Sequence, residues 1–220
     1  MAKFAKDCVF FHAVLFFAIF RPISAYLHAI LCIRDIETIS NTQKEMEKKM
    51  KTCAFTGHRP QNLPFGFNEE DERCIYLKKV LREQIINLIE NEGVTHFVSG
   101  MAIGVDMYAA EIVLGLKASY PGITLESAIP CESQAAKWSE ALRDRYFDIA
   151  SKCDKETLIQ AHYSPDCMDK RNRYMVDHAD VLIAVWDGSP SGTGKTVRYA
   201  HQQGKSVITI NPRTLCIEQQ

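Results

Sequence analysis

From residue 50 onward, short apolar runs alternate with amphipathic stretches. Thr52–Thr56 reads as a buried strand, cut off by Gly57-His58-Arg59-Pro60, where Pro60 rules out helix continuation and biases Arg59 towards extended backbone. Ile75, Leu77, Val80, Leu81, Ile85, Leu88 and Ile89 then recur at helical spacing, after a helix-start signal at Asn68 and Asp71, until Gly93 ends the run. Val94–Val98 is a second strand, followed by a glycine turn and a helix to about Ser119. Thr124–Ile129 is a third strand, and Pro130–Gln134 leads from it into a helix carrying Trp138, Leu142, Tyr146 and Ile149. Glu156–Gln160, Val181–Trp186 and Ser206–Ile210 read as the remaining strands, with helices over Asp166–Ala179 and Thr196–Gln203, the latter closed by Gly204. This alternation predicts an α/β fold: a single Rossmann-like three-layer domain over 50–220, with a mostly parallel sheet between two layers of helices.

Composition narrows the class without naming an activity. The chain has 220 residues, 46% hydrophobic and 24% charged, which suits one good soluble core. Its formal net charge of −1 supplies no basic field, so tight nonspecific nucleic-acid binding is disfavoured and nucleic acid is not the expected partner. The eight cysteines form no C-x-x-C pair and no Cys/His cluster at zinc spacing. They read as small thiols in a reducing cytoplasm, with no metal site and no cofactor required. The apolar face of the helix over 75–92 is broad enough to leave room for a homodimer.

In an open parallel sheet, ligands sit outside the carboxyl ends of the strands. The polar and glycine-rich residues collect there. Gly57, His58 and Arg59 follow the first strand; Ser99, Gly100, Met101, Ala102, Gly104 and Asp106 follow the second. Asp187, Ser191, Gly192, Thr193, Gly194, Lys195 and Thr196 follow the fifth. Glycines let backbone approach a ligand, and the free N–H groups at a helix start bind anions. Asp106 suits either a ribose hydroxyl pair or the positive end of its own helix. Glu111 reads as a surface pair, Trp138 and Trp186 as core or rim aromatics, and Cys131 as a structural thiol. Gly188–Thr196 nearly spells a phosphate-binding Walker loop, but Ser189 stands where that motif needs glycine. The run is better read as backbone N–H groups of Ser191–Gly194 gathered at a helix start. Lys195 is then a phosphate contact or a solvated lysine.

Taken together, these residues resemble the SLOG superfamily, the Rossmann-like group that includes the DprA/SMF and LOG proteins, and most closely its YpsA-type branch. The resemblance is carried by Thr56-Gly57-His58-Arg59-Pro60, Ser99–Asp106, Ile129-Pro130-Cys131, Arg171–Asp180, and Gly192-Thr193 ahead of Thr196–Ala200. It covers 50–213 in order and spacing. It implies a nucleotide or nucleotide-derived ligand, such as ADP-ribose or a nucleoside monophosphate, held at the strand ends. The expected role is that of a sensor or regulator.

LOG-type relatives cleave the N-glycosidic bond of nucleoside monophosphates with an arginine and a glutamate. By that resemblance Arg171 stands at the arginine position, where a guanidinium pairs a phosphate in bidentate fashion. The glutamate position holds Thr196, and a hydroxyl cannot do a carboxylate's work at a ribosyl cation. N-glycosidase activity is therefore the alternative reading, with Asp106, Glu111 or Glu132 as substitute carboxylates. DNA binding of the DprA kind comes third.

Residues 1–49 do not match the rest. Cys8–Ile33 is almost wholly apolar, interrupted by Arg21-Pro22, and Asn41–Met50 is polar without a core pattern. A membrane span suits the length but not the mid-stretch arginine, and a signal peptide suits Lys3 and Lys6 but not the unpatterned cysteines. A membrane partner follows only if this segment is native. The third reading is that translation starts at Met50, with Lys44-Glu45 encoded as a ribosome-binding sequence, and that 1–49 is an extension the cell does not make. Mass spectrometry of the natural N-terminus is expected to find Met50 first; a peptide from within 1–40 contradicts this.

Overall fold

A computed structural model of the chain describes residues 50–219, so the readings of 1–49 lie outside the described residues. The strands are β1 (Lys51–Gly57), β2 (Val94–Ser99), β3 (Thr124–Ile129), β4 (Lys155–Leu158), β5 (Val181–Val185), β6 (Ser206–Ile210) and β7 (Ile217–Gln219). The helices are α1 (Glu72–Glu92), α2 (Val105–Leu116), α3 (Glu140–Ser151), α4 (Cys167–His178) and α5 (Gly192–Gln202). One seven-stranded sheet takes the order β4-β3-β2-β1-β5-β6-β7. Every pairing is parallel except β6 with β7.

Alternate residues of the strands point to opposite faces, and each face has its own core. Phe55, Phe97, Leu125, Ile183 and Ile208 face α1, α2 and α3, with Leu77, Leu81, Ile85, Val113 and Ile149 packed on them. Ala54, Val98, Ala128, Leu182 and Val207 face α4 and α5, which bring Met175, Val176, Val197 and Ala200. Small residues on the second face let those helices lie close. The chain runs outward from β1 to β4 along the first face and returns along the second, as right-handed crossovers require. The strand order therefore reverses between β1 and β5, the switch point where open α/β sheets form their crevice.

The predicted elements are all present, with four corrections at their ends. Asn68 accepts from the Glu70 N–H in a turn, and Asp71 is the true cap of α1, accepting from the Arg73 N–H at 2.9 Å. Trp138 precedes α3 instead of riding on it and packs edge-on against Tyr146. Helix α5 begins at Gly192, not Thr196, because Ser191 caps it. β4 is Lys155–Leu158, slightly earlier than predicted, and β7, three exposed residues, was not foreseen. Of the apolar residues of α1, Leu77, Leu81, Ile85 and Leu88 are buried, while Ile75 stays exposed beside Tyr76. Glu111 does pair at the surface, taking two hydrogen bonds of 2.7 Å from Arg145. Among the described residues no helix is long and apolar enough to cross a membrane.

One charged residue sits inside the second face. Glu126 of β3 is 2% exposed and accepts from His96, from Lys155 at 2.9 Å and from the Tyr174 hydroxyl at 2.8 Å. Burial pushes its carboxyl up, but hydrogen bonds from His96, Thr157, Lys155 and Tyr174 outweigh this and hold it well below the usual range. Such a group adds stability above its unfolded pKa and loses it as the pH falls towards the folded one. Glu126→Gln is expected to cost about 1–3 kcal/mol at neutral pH. The difference should shrink towards acid in urea midpoints measured against pH. Equal midpoints for the two proteins at neutral pH contradict the assignment. Gly115→Ala, exposed in the last turn of α2 with nothing within 4 Å of the added carbon, should instead gain about 0.5 kcal/mol.

Candidate functional site

The crevice at the switch point is an open cleft of about 200 Å³. Its walls come from β1 and the turn after it, the turn between β2 and α2, the first turns of α4, and the start of α5.

The floor is an ion pair buried between the two helical layers. Arg171, on α4, is 4% exposed, and Asp106, in the first turn of α2, is 6% exposed. Arg171 Nη1 lies 3.7 Å from Asp106 Oδ2 and donates to the Gly100 carbonyl, while its Nε donates to Asn172 Oδ1 at 2.8 Å. Asp106 also accepts from the Ala102 N–H at 3.3 Å. Burial pushes the Asp106 carboxyl up, and Arg171, the Ala102 N–H and Arg59 offset only part of it. Burial likewise pushes the Arg171 guanidinium down, against the pull of Asp106. A titratable pair perturbed in this way, inside a cleft, marks a candidate site on physical grounds.

The turn after β2 is shaped around that guanidinium. A Cβ on Gly100 would collide with Arg171 and sit 2.7 Å from the Asp106 carboxylate, so only glycine fits. Met101, wholly buried, adopts φ 55°, a conformation that bulky residues avoid. It is held there by Ser99, whose hydroxyl accepts from the Met101 N–H at 3.2 Å, and by Gln134, whose side chain donates to the Met101 carbonyl at 2.8 Å. Ser99 in turn donates to the Asp106 carbonyl at 2.8 Å. Gly104 closes the turn at φ 100°, its backbone packed against His58 and Pro60.

The opposite wall is the start of α5. The Ser191 side chain accepts from the Gly194 N–H at 3.1 Å, and the Lys195 N–H reaches the Ser191 carbonyl. The N–H groups of Gly192 and Thr193 are left without acceptors among the described residues, as expected in a first helical turn. His58, 2% exposed, joins β1 to this wall: its Nε2 meets Asp187 Oδ1 at 2.9 Å. Hydrogen bonds from Ser189, with His58 and Arg213, hold the Asp187 carboxyl well below the usual range despite partial burial. Asp187 is thus an ionised acceptor that fixes both the imidazole and the loop before α5.

The structure sorts the sequence candidates into three groups. Gly57, His58, Arg59, Ala102, Asp106, Arg171, Ser191, Gly192 and Thr193 line the cleft together. Ser99, Gly100, Met101, Gly104, Asp187 and Gly194 stand behind its walls. The Gly194 backbone packs on Trp186, where a Cβ would come within 2.9 Å of the ring, and Gly57 allows Val105 a closer approach still, 2.5 Å from such a carbon. Lys195 and Thr196 face a neighbouring groove. Thr196 is buried there, donating to the Gly192 carbonyl and accepting from Asn172. Sequence reasoning missed Thr56, Asn62, Met168 and Asn172, which also line the cleft, and Gln134 behind it. Among the described residues no group of His, Cys, Asp or Glu is placed to hold a metal ion.

Comparison with known proteins agrees with this architecture. A family model described as the YspA SLOG family, YpsA, matches residues 53–215. A UPF0398 protein of Halalkalibacterium halodurans is 33% identical over 160 residues, covering 70% of this chain and 84% of that protein. Among solved structures, DNA processing protein A from Streptococcus pneumoniae shares the fold at a TM-score of 0.51 and 19% identity. The match covers 76% of this chain but only 52% of that one. DNA processing protein A from Helicobacter pylori, solved for its single-stranded DNA binding mode, aligns at a TM-score of 0.49 and 18% identity, over 75% of this chain and 67% of that one. The chain belongs to the YpsA family of the SLOG superfamily.

Proposed function

We propose that the protein binds a nucleotide or nucleotide-derived small molecule in the cleft at the switch point and acts as a sensor or regulatory protein. The observation that carries this is the convergence on one cleft of Arg171, Arg59 and the unbonded N–H groups of Gly192 and Thr193. Buried guanidinium and helix N-terminus together suit a phosphate, which takes bidentate and backbone hydrogen bonds at once. Asp106, on the floor beside them, suits a ribose hydroxyl. The reading requires no metal and no further cofactor.

A second reading, hydrolysis of the N-glycosidic bond of a nucleoside monophosphate, draws on the carboxyl of Asp106 and the His58–Asp187 pair at the same cleft. Against it, the Thr196 hydroxyl, at the position of the LOG-type glutamate, is engaged by Gly192 and Asn172. The DNA-processing names of the fold neighbours belong to those proteins, and a net charge of −1 gives this chain no general basic field for DNA.

Thermal unfolding of the full chain against nucleoside monophosphates, ADP-ribose, NAD, ATP and cyclic nucleotides tests the proposal. A ligand at ~100 times its Kd should add about 2.7 kcal/mol. Gly100→Ala, which displaces the guanidinium, and Arg59→Ala, on an exposed side chain, should each weaken binding about tenfold or more. No shift from any nucleotide contradicts the reading. Release of free base from a bound monophosphate, followed by chromatography, would favour the hydrolase instead.

A further inference from the structure

The cleft has a neighbour that the family resemblance does not assign. On the far side of the first turn of α5, a shallow groove of about 200 Å³ runs between α4 and α5. Arg173, Lys195 and Arg198 supply its cations and Asp169 its carboxylate. Asp169 is taken up by Arg173, whose Nε donates to it at 2.8 Å. The same Arg173 guanidinium lies 4.5 Å from the centre of the Tyr199 ring, and the Tyr199 hydroxyl is anchored on Asp177. Lys195 and Arg198 have no carboxylate partner among the described residues. They are three apart on α5, hence on one face. With Asp169 taken up by Arg173, the groove keeps the charge of these two cations unoffset by a carboxylate of its own lining.

Groove and cleft meet at Asn172. Asn172 lines both, and its amide donates to Thr196 Oγ1 at 2.9 Å while its carbonyl accepts from Arg171. Arg171 on the cleft side and Thr196 on the groove side thus hold the same residue. An anion at the N-terminus of α5 and one beside Lys195 and Arg198 would lie about one helical turn apart, roughly 5 Å along the axis. That separation suits two phosphates of a single nucleotide.

Resting on the nucleotide reading of the cleft, we propose that the α4–α5 groove is a second phosphate subsite. The ligand is then a nucleotide carrying at least two phosphate groups, one at the start of α5 and one between Lys195 and Arg198. Asn172 is the positioning residue that spans the two.

Calorimetric titration of the full chain with AMP, ADP, adenosine 3′,5′-bisphosphate and the matching guanine nucleotides tests this. A doubly phosphorylated nucleotide is expected to bind about tenfold or more tightly than its monophosphate. In Arg198→Ala and Lys195→Ala, both on exposed side chains, that advantage should fall towards unity. Equal affinity for mono- and diphosphorylated forms overturns the second subsite and leaves the cleft reading standing. Failure of every nucleotide to bind overturns both. Tight, steeply salt-dependent binding of a single-stranded oligonucleotide, with no advantage for the doubly phosphorylated nucleotides, overturns the proposal in favour of nucleic acid along the groove.

Discussion

An arginine taken out of water costs several kcal/mol unless its charge and its N–H groups are met inside the protein. Arg171 meets that demand with Asp106, the Gly100 carbonyl and Asn172, and each partner constrains a different element. Asp106 begins α2 on one face of the sheet, and Arg171 belongs to α4 on the other. Their pairing ties the two helical layers together just beyond the strand ends. It also explains the turn between them. Gly100 has no side chain because the guanidinium occupies that space, and Met101 is forced into a left-handed conformation that Ser99 and Gln134 must hold.

The rest of the crevice follows the same logic of charge held in place. Asp187 stays ionised through Ser189, His58 and Arg213, so it sets the imidazole on one wall and the loop before α5 on the other. Ser191 caps α5 and leaves two N–H groups facing the cleft. Two pairs tie the walls to one another, Arg171 with Asp106 and His58 with Asp187. What remains unbonded is arranged for an anion, which is why we favour recognition over chemistry.

Much of this was legible in the sequence. Alternating periodicity fixed the order of strands and helices, and the clustering of glycine and polar residues after β1, β2 and β5 located the crevice. The remainder depends on helical phase and on contacts between distant residues. Lys195 stands beside Gly192 and Thr193 in the chain, yet the turn of α5 sends it to the far groove. Asn172 looks like one more polar residue in a polar helix until Arg171 and Thr196 are seen to share it. Gly57 and Gly194 read as ligand glycines, but their missing carbons make room for Val105 and Trp186. The start of α5 carries no apolar repeat before Val197, and three exposed residues of β7 offer no pattern at all.

The central claim is that the cleft at the β1–β5 switch point receives a phosphate. A crystal structure of the full chain grown with AMP tests it most directly. The account predicts the phosphate against the N–H groups of Gly192 and Thr193, within reach of Arg59 and Arg171. A phosphate bound elsewhere, with this cleft holding only water, would contradict it.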